Sequence, residues 1–309
     1  MSTDPTTDQT STPSSHLERE LFSQPDAWAQ AVGRLAEVSG ILPQAGERVA
    51  VIGCGTSFFM AQAYAERRES LGQGVTDAFA ASEHHLERGY DRAVVICRSG
   101  TTSEIIAVIH RLKQLEINHT SIVATAGTPV ADESDHTILL SEADEESVVQ
   151  TRFATTNLAL LLASLGDDLA PAIADARSVL AESVDDAVGA LRAVEQVTFL
   201  GTGWTVGLAN EAALKLRETA QFWAESYPAT EYRHGPISIA TTGRAVWAFG
   251  EVPGGLADQV AATGAHFEHR DLHPLAELVR VHRLCLLRAE LAGLEPDSPR
   301  HLTRSIVLA

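Results

Sequence analysis

Apolar positions along this chain change period repeatedly, and each change marks an element. Residues 48–52, Arg-Val-Ala-Val-Ile, form a short apolar run that reads as a buried strand. The turn Gly53-Cys-Gly-Thr-Ser57 follows, and residues 58–68 take up a helical period. Strand-like runs recur at 75–80, 92–96, 120–126 and 137–140, with a helical stretch at 103–115 after the loop Cys97-Arg-Ser-Gly-Thr-Thr102. Two helices precede all of this, one from about residue 16 past Leu21 and one over 26–38. Strands alternating with helices of about 10–15 residues predict an α/β fold, a parallel sheet covered by helices on both faces.

Residues 149–165 and 169–193 are helical in pattern, and then the opening unit returns. Val49-Ala-Val-Ile-Gly53-Cys-Gly55 resembles Val197-Thr-Phe-Leu-Gly201-Thr-Gly203, and both run directly into a helix. The repeat predicts two similar α/β halves, the second opening near Glu195. Its later strands fall at 244–249 and 265–269, and a last helix at 275–291. Residues 295–309 carry Pro296 and Pro299 and no helical period, so they read as a loop or tail. The expected division is a disordered Ser/Thr/Pro-rich tail at 1–15, a first domain at 16–185 and a second at 186–309.

Composition narrows the partners. The chain has 309 residues, 45% of them apolar, enough for two ordinary cores. Lys and Arg number 23 against 41 Asp and Glu, a formal charge of −18, which argues against nucleic acid or an anionic membrane as partner. A small anionic substrate stays open, because a site can be locally positive inside an acidic field. Cys54, Cys97 and Cys285 show no C-x-x-C spacing, so neither a zinc site nor a disulfide framework is indicated, and a reducing cytosol is expected. No apolar run reaches the roughly 18–20 residues of a membrane span, and no signal peptide is recognisable.

Two loops carry anion-binding chemistry. Gly53-Cys-Gly-Thr-Ser57 offers backbone N–H groups, the hydroxyls of Thr56 and Ser57, and a helix start. Residues 97–102 offer Cys97, Ser99, Thr101 and Thr102, a cation at Arg98, and another helix start. Helix N-termini attract anions through their free N–H groups and dipole. Alone, either loop is also ordinary helix capping and turn chemistry. A dinucleotide site is the rival reading of the first loop, with Asp77 at a plausible sequence distance for a ribose contact. Phe58 stands where the third glycine of that fingerprint belongs, and no Walker-type G-x-x-x-x-G-K-[ST] run occurs.

The densest titratable stretch is Asn210-Glu-Ala-Ala-Leu-Lys-Leu-Arg-Glu218, followed by Ala224-Glu-Ser-Tyr227 and Glu231-Tyr-Arg-His-Gly-Pro236. On a helix Glu211, Lys215, Glu218 and Phe222 share one face. That pattern suits a solvated Glu–Lys stripe, and equally a carboxylate held beside a cation and used as a base. Moving a proton between C1 and C2 of a sugar needs such a base, and ring opening needs a second acid–base group. Glu218 and His234 have the right types.

With these motifs in place, the chain resembles the double-SIS isomerase half of glucosamine-6-phosphate synthase and its stand-alone relatives. Those include aminosugar-phosphate deaminases, ketose/aldose-phosphate isomerases and fructosamine-6-phosphate deglycases. The marks are Glu20-Leu-Phe-Ser-Gln-Pro25, Gly53-Cys-Gly-Thr-Ser57, Ser82-Glu83, Arg98-Ser-Gly-Thr-Thr102, residues 145–155, residues 211–218, Ala224-Glu-Ser-Tyr227, Arg233-His-Gly-Pro236 and Pro299-Arg-His-Leu-Thr-Arg-Ser305, in the family's order. The resemblance implies two tandem SIS domains, each a parallel sheet flanked by helices. It implies that Thr56, Ser57, Cys97, Arg98, Ser99 and Thr102 surround a sugar phosphate. Glu218 would be the proton-transfer base, Lys215 would support the sugar end, and His234 would assist ring opening, often from the neighbouring subunit of a homodimer. The loop at Thr303-Arg304-Ser305 would close over the sugar and exclude water.

Three departures shape the functional expectation. The sequence opens Met1-Ser2-Thr3, without the cysteine nucleophile of the synthase's glutamine-hydrolysing domain. Arg304 stands where the synthase has an imine-forming lysine, and arginine stays protonated and cannot form that imine. Cys97 replaces a serine, a weaker donor, while Arg98 replaces an amide and adds charge. The reading is an aminosugar-6-phosphate deaminase/isomerase of the cytoplasm that needs neither cofactor nor metal. The alternatives are a ketose/aldose-phosphate isomerase, a fructosamine-6-phosphate deglycase, and a non-catalytic phosphosugar sensor.

Overall fold

The computed structural model describes residues 15–308. The stretch expected to be a tail therefore lies outside the described residues except for Ser15. That residue caps helix α1 (His16–Phe22), its hydroxyl accepting from the Glu18 N–H at 3.1 Å. The chain continues through α2 (Gln24–Gly33), α3 (Leu35–Val38), β1 (Val49–Gly53), α4 (Thr56–Ser70), β2 (Thr76–Ala80), β3 (Arg92–Ile96), α5 (Ser103–Gln114), β4 (Asn118–Val123), α6 (Pro129–Glu133) and β5 (His136–Leu139). Helices α7 (Arg152–Ser164), α8 (Ala170–Ala181) and α9 (Val184–Val188) lead to the second sheet. Its elements are β6 (Gln196–Gly201), α10 (Thr205–Ala220), β7 (Ala224–Pro228), β8 (Arg244–Phe249), α11 (Leu256–Ala262), β9 (His266–Glu268) and the closing helix α12 (Pro274–Leu291).

Both sheets are parallel, as the alternation of strand and helix requires. Their orders are β2-β1-β3-β4-β5 and β7-β6-β8-β9, so each places its first strand between the second and third. The internal repeat in the sequence is thus a repeat of topology. The shared glycine has the same cause in both halves. A Cβ on Gly53 would lie 2.5 Å from the Ser57 carbonyl carbon, and one on Gly201 would lie 2.3 Å from the Thr205 carbonyl oxygen. Each strand end runs so close to the helix it feeds that only glycine fits.

Alternation along each central strand divides the core into layers. Val49, Val51, Val94 and Ile96 face one way, into a large core shared with Phe199, Trp247 and Phe249 of the second sheet. Ala50, Ile52, Ala93 and Val95 face the other way, against α5. The outer face of the second sheet buries Leu200, Val246 and Ala248 against α11. Helices α4 and α10 lie in the shared layer, tied by the Asn210 amide donating to Gln62 at 2.9 Å. This packing carries the second half's α10 to the carboxyl ends of the first sheet's strands.

Two expectations are corrected. The helix expected over 169–193 breaks after Ala181. Glu182 is extended, and the Ser183 hydroxyl starts a new turn by accepting from the Asp186 N–H. Residues 224–228 form an unforeseen strand, the edge of the second sheet, with only Ala224 buried. An edge strand with one polar face shows little of the apolar run that reveals a central one.

Candidate functional site

In an open sheet of order 2-1-3-4-5, ligands settle beyond the carboxyl ends of the strands at the switch point between the first and third. The described residues have a cavity of about 200 Å³ there. One wall is Cys54, Gly55, Thr56 and Ser57, leading into α4. A second wall is 97–99 and Thr102, leading into α5. Lys215 and Glu218 of α10 close the far side, and residues 302–306 lie across the mouth.

All six expected phosphate contacts reach this cavity, as do Lys215, Glu218 and Arg304. His234 does not. It is exposed on the turn after β7 and lines no part of the cavity within this one chain. Arg98 reaches the wall, but its terminal nitrogens face protein. They donate to the carbonyls of Ser147 at 3.1 Å, Val148 at 3.0 Å and Arg304 at 3.2 Å, and lie 3.4 Å from the Glu145 carboxylate. The guanidinium is 1% exposed and Glu145 0%. Glu145 in turn accepts from the Thr151 and Arg152 N–H groups, each at 2.7 Å. Arg98 is built as a strut between the 97–102 loop, the 145–148 loop and the terminal segment. Arg304 is likewise engaged, paired with Asp144 and donating to the Glu145 carbonyl.

Helix α10 brings the titratable cluster. Lys215 Nζ is ion-paired to Glu218 Oε2 and lies 3.5 Å from Glu211 Oε1. Lys215 and Glu211 are fully buried, whereas Glu218 keeps 20% exposure toward the cavity. Burial works against the Lys215 charge, but Glu211 and Glu218 outweigh it and hold its pKa above the ordinary value. Burial pushes Glu211 up to about 8, with Lys215 pulling it back and Glu218 raising it further. Behind the cluster, burial drives His282 down to about 3, assisted by the nearby Lys215 cation. Glu218 is thus the carboxylate of this group placed to meet a ligand, with an ammonium fixed beside it.

The Glu211 shift has a sign that can be checked. Between its unfolded value of 4.5 and about 8, the folded chain holds a proton that the unfolded chain releases. Stability therefore falls as pH rises through that window. Glu211→Gln has no such proton, so the stability of wild type relative to this variant should decline steadily from pH 5 to pH 8. Urea denaturation at several pH values measures it, and a difference that rises with pH would contradict the assignment.

Sequence reasoning missed two groups of the cavity. Glu104 Oε2 and Gln150 Oε1 are buried and have no hydrogen-bond partner among the described residues, and both residues line the space. Glu104 in the first turn of α5 reads in sequence as ordinary helix-dipole chemistry, and Gln150 lies in a loop with no local signal. Unmet acceptors at a cavity wall suit a ligand that carries hydroxyl or amino donors. Among the described residues no group of three or more His, Cys, Asp or Glu side chains is arranged to hold a metal ion. None of the described helices is long and apolar enough to cross a membrane.

Residues 41–165, which include the first sheet and both anion loops, match the SIS domain family model. The chain is 26% identical over 295 residues to the isomerizing glutamine–fructose-6-phosphate aminotransferase of Sulfurisphaera tokodaii, covering 85% of this chain and 50% of that protein. It is 30% identical over 257 residues to the enzyme of the same name from Pseudomonas aeruginosa, covering 72% and 42%. The chain thus spans about half the length of the curated relatives it matches. Its fold is that of a glucosamine-6-phosphate deaminase from Thermotoga maritima, with a TM-score of 0.81 at 22% identity over 95% of this chain and 100% of that one. A tagatose-6-phosphate ketose/aldose isomerase from Escherichia coli also shares it, with a TM-score of 0.75 at 18% identity over 94% and 97%.

Proposed function

We propose that the chain is an enzyme built of two tandem SIS domains that acts on an aminosugar 6-phosphate, deaminating and isomerising it. The observation that carries the reading is one cavity with an anion cradle on one side and the Lys215–Glu218 pair on the other. A sugar phosphate held at the two helix N-termini places its C1 and C2 atoms toward Glu218. From the open-chain aldehyde, Glu218 takes the C2 proton and returns it to C1. A second proton passes from the amine nitrogen to O1, so that C1 becomes a hydroxymethyl group and C2 an imine. Water adds at C2 and ammonia leaves, giving the ketose 6-phosphate. The Lys215 ammonium stabilises the oxygen charge that develops as the C–H bond breaks. His234, which lines no part of its own chain's cavity, is assigned to ring opening in a second copy, which makes the working form a homodimer. The cytoplasm is the expected compartment.

A second reading has its own observation. Glu218 and Leu302 also line a groove outside the cavity, together with Arg217, Phe222, Trp223 and Arg300. Cationic and aromatic side chains beside the base suit a larger, carboxylate-bearing amine on the sugar, as in a fructosamine 6-phosphate. One assay separates the readings. The purified protein is incubated with glucosamine 6-phosphate, with ketose 6-phosphates, and with a fructosamine 6-phosphate. Ammonia release is the result expected. Ketose–aldose exchange alone, or release of a free amino acid, moves the assignment to isomerase or deglycase. Binding without any turnover makes the chain a sensor.

A further inference from the structure

The terminal segment does more than cover the cavity mouth. The Ser305 hydroxyl lies 3.2 Å from Ser99 Oγ, 3.0 Å from Thr101 Oγ1 and 3.3 Å from Thr102 Oγ1. Ser99 and Thr102 are themselves 3.5 Å apart, so four hydroxyls converge on one point at the start of α5. The next residue reaches the helix itself, because the Ser103 N–H donates to the Ile306 carbonyl at 3.2 Å. Leu308 N–H then donates to the Ser103 hydroxyl at 2.9 Å. A strand of chain some two hundred positions away in sequence is thereby stitched onto the groups that receive the anion in the proposed function.

Hydroxyls can donate as well as accept. A ring of four can therefore satisfy itself, as here, or turn its protons together toward an oxyanion. Three of the four sit on a loop fixed by the sheet, and the fourth is carried by the segment that closes the mouth. We propose that Ser305, the fourth hydroxyl of this ring, is a phosphate-binding residue and a further donor of the anion cradle, through which bound phosphate fastens the terminal strap over the cavity. This rests on the sugar-phosphate reading above and adds to it a link between phosphate and closure. The strap also hangs from Arg98, which donates to the Arg304 carbonyl, and from Arg304, which pairs with Asp144. Ser305 is the point at which that anchorage meets the ligand.

The test uses the full chain, Ser305→Ala and Ser305→Thr, with inorganic phosphate and glucosamine 6-phosphate as probes. Calorimetry reads affinity, and hydrogen exchange reads protection of the amides at 303–308. In wild type both probes should bind and slow exchange of the strap. Ser305→Ala should weaken both by about tenfold, the size of one lost hydrogen bond to a charged group, and ligand should no longer protect the strap. Ser305→Thr, which keeps the hydroxyl, should restore both. Undiminished or tighter binding by Ser305→Ala would show the hydroxyl to be a mere plug, overturning the proposal while leaving the sugar-phosphate reading intact. Failure of wild type to bind either probe would overturn both.

Discussion

Glu218→Gln is expected to abolish turnover of the aminosugar phosphate while leaving its affinity within about tenfold. The amide keeps the size of the carboxylate and a hydrogen-bonding oxygen, so the cavity wall keeps its shape. It cannot accept the C2 proton, and a positioned base contributes roughly 10²–10⁴-fold to such a step. Glu211 cannot take over. It is fully buried behind Lys215 and does not line the cavity, whereas Glu218 does. Steady-state kinetics and calorimetry on one preparation give both quantities. Near wild-type turnover would remove Glu218 from the mechanism.

Arg98→Leu should produce the largest loss of stability, about 3–5 kcal/mol, because it breaks a buried ion pair at one partner. The guanidinium serves three carbonyls and the Glu145 carboxylate at once, from a position 1% exposed. Leucine fills much of the volume and leaves those acceptors unmet. Loops 97–102 and 145–148 and the terminal segment should loosen together, visible as faster hydrogen exchange in all three. Urea denaturation measures the loss. If Arg98 instead serves chiefly as a cation for the phosphate, stability moves little and phosphate affinity alone collapses.

That contrast shows where sequence stops being informative. The two anion loops are legible because their main ingredients are local: an apolar strand and hydroxyls at a helix start in both, and in the first a glycine too close to the next helix for a side chain. The Lys215–Glu218 pair is legible for the same reason, since helical spacing alone brings the two together. The direction of Arg98 is not local. Its acceptors lie 49, 50 and 206 positions away, and only the folded loops bring them within reach. The ring of hydroxyls around Ser305 joins partners 203 to 206 positions apart, so no reading of the loop alone could foresee it. The polar edge strand β7 lacked an apolar run, and the break after Ala181 turned on one capping serine. The two-domain division near residue 185 and the homodimer that would bring His234 to a site remain proposals carried by the repeat and by that histidine's position.

In the proposed mechanism Glu218 moves a proton on an open-chain sugar phosphate held in the cavity at the β1/β3 switch point. Solvent exchange observes that event itself. Glucosamine 6-phosphate or fructose 6-phosphate is incubated with the protein in deuterium oxide, and proton NMR follows the hydrogens at C1 and C2. Wild type should introduce deuterium at these carbons, and Glu218→Gln should introduce none while still binding the sugar. Equal exchange by both proteins, or none by wild type with the sugar bound, would contradict the account.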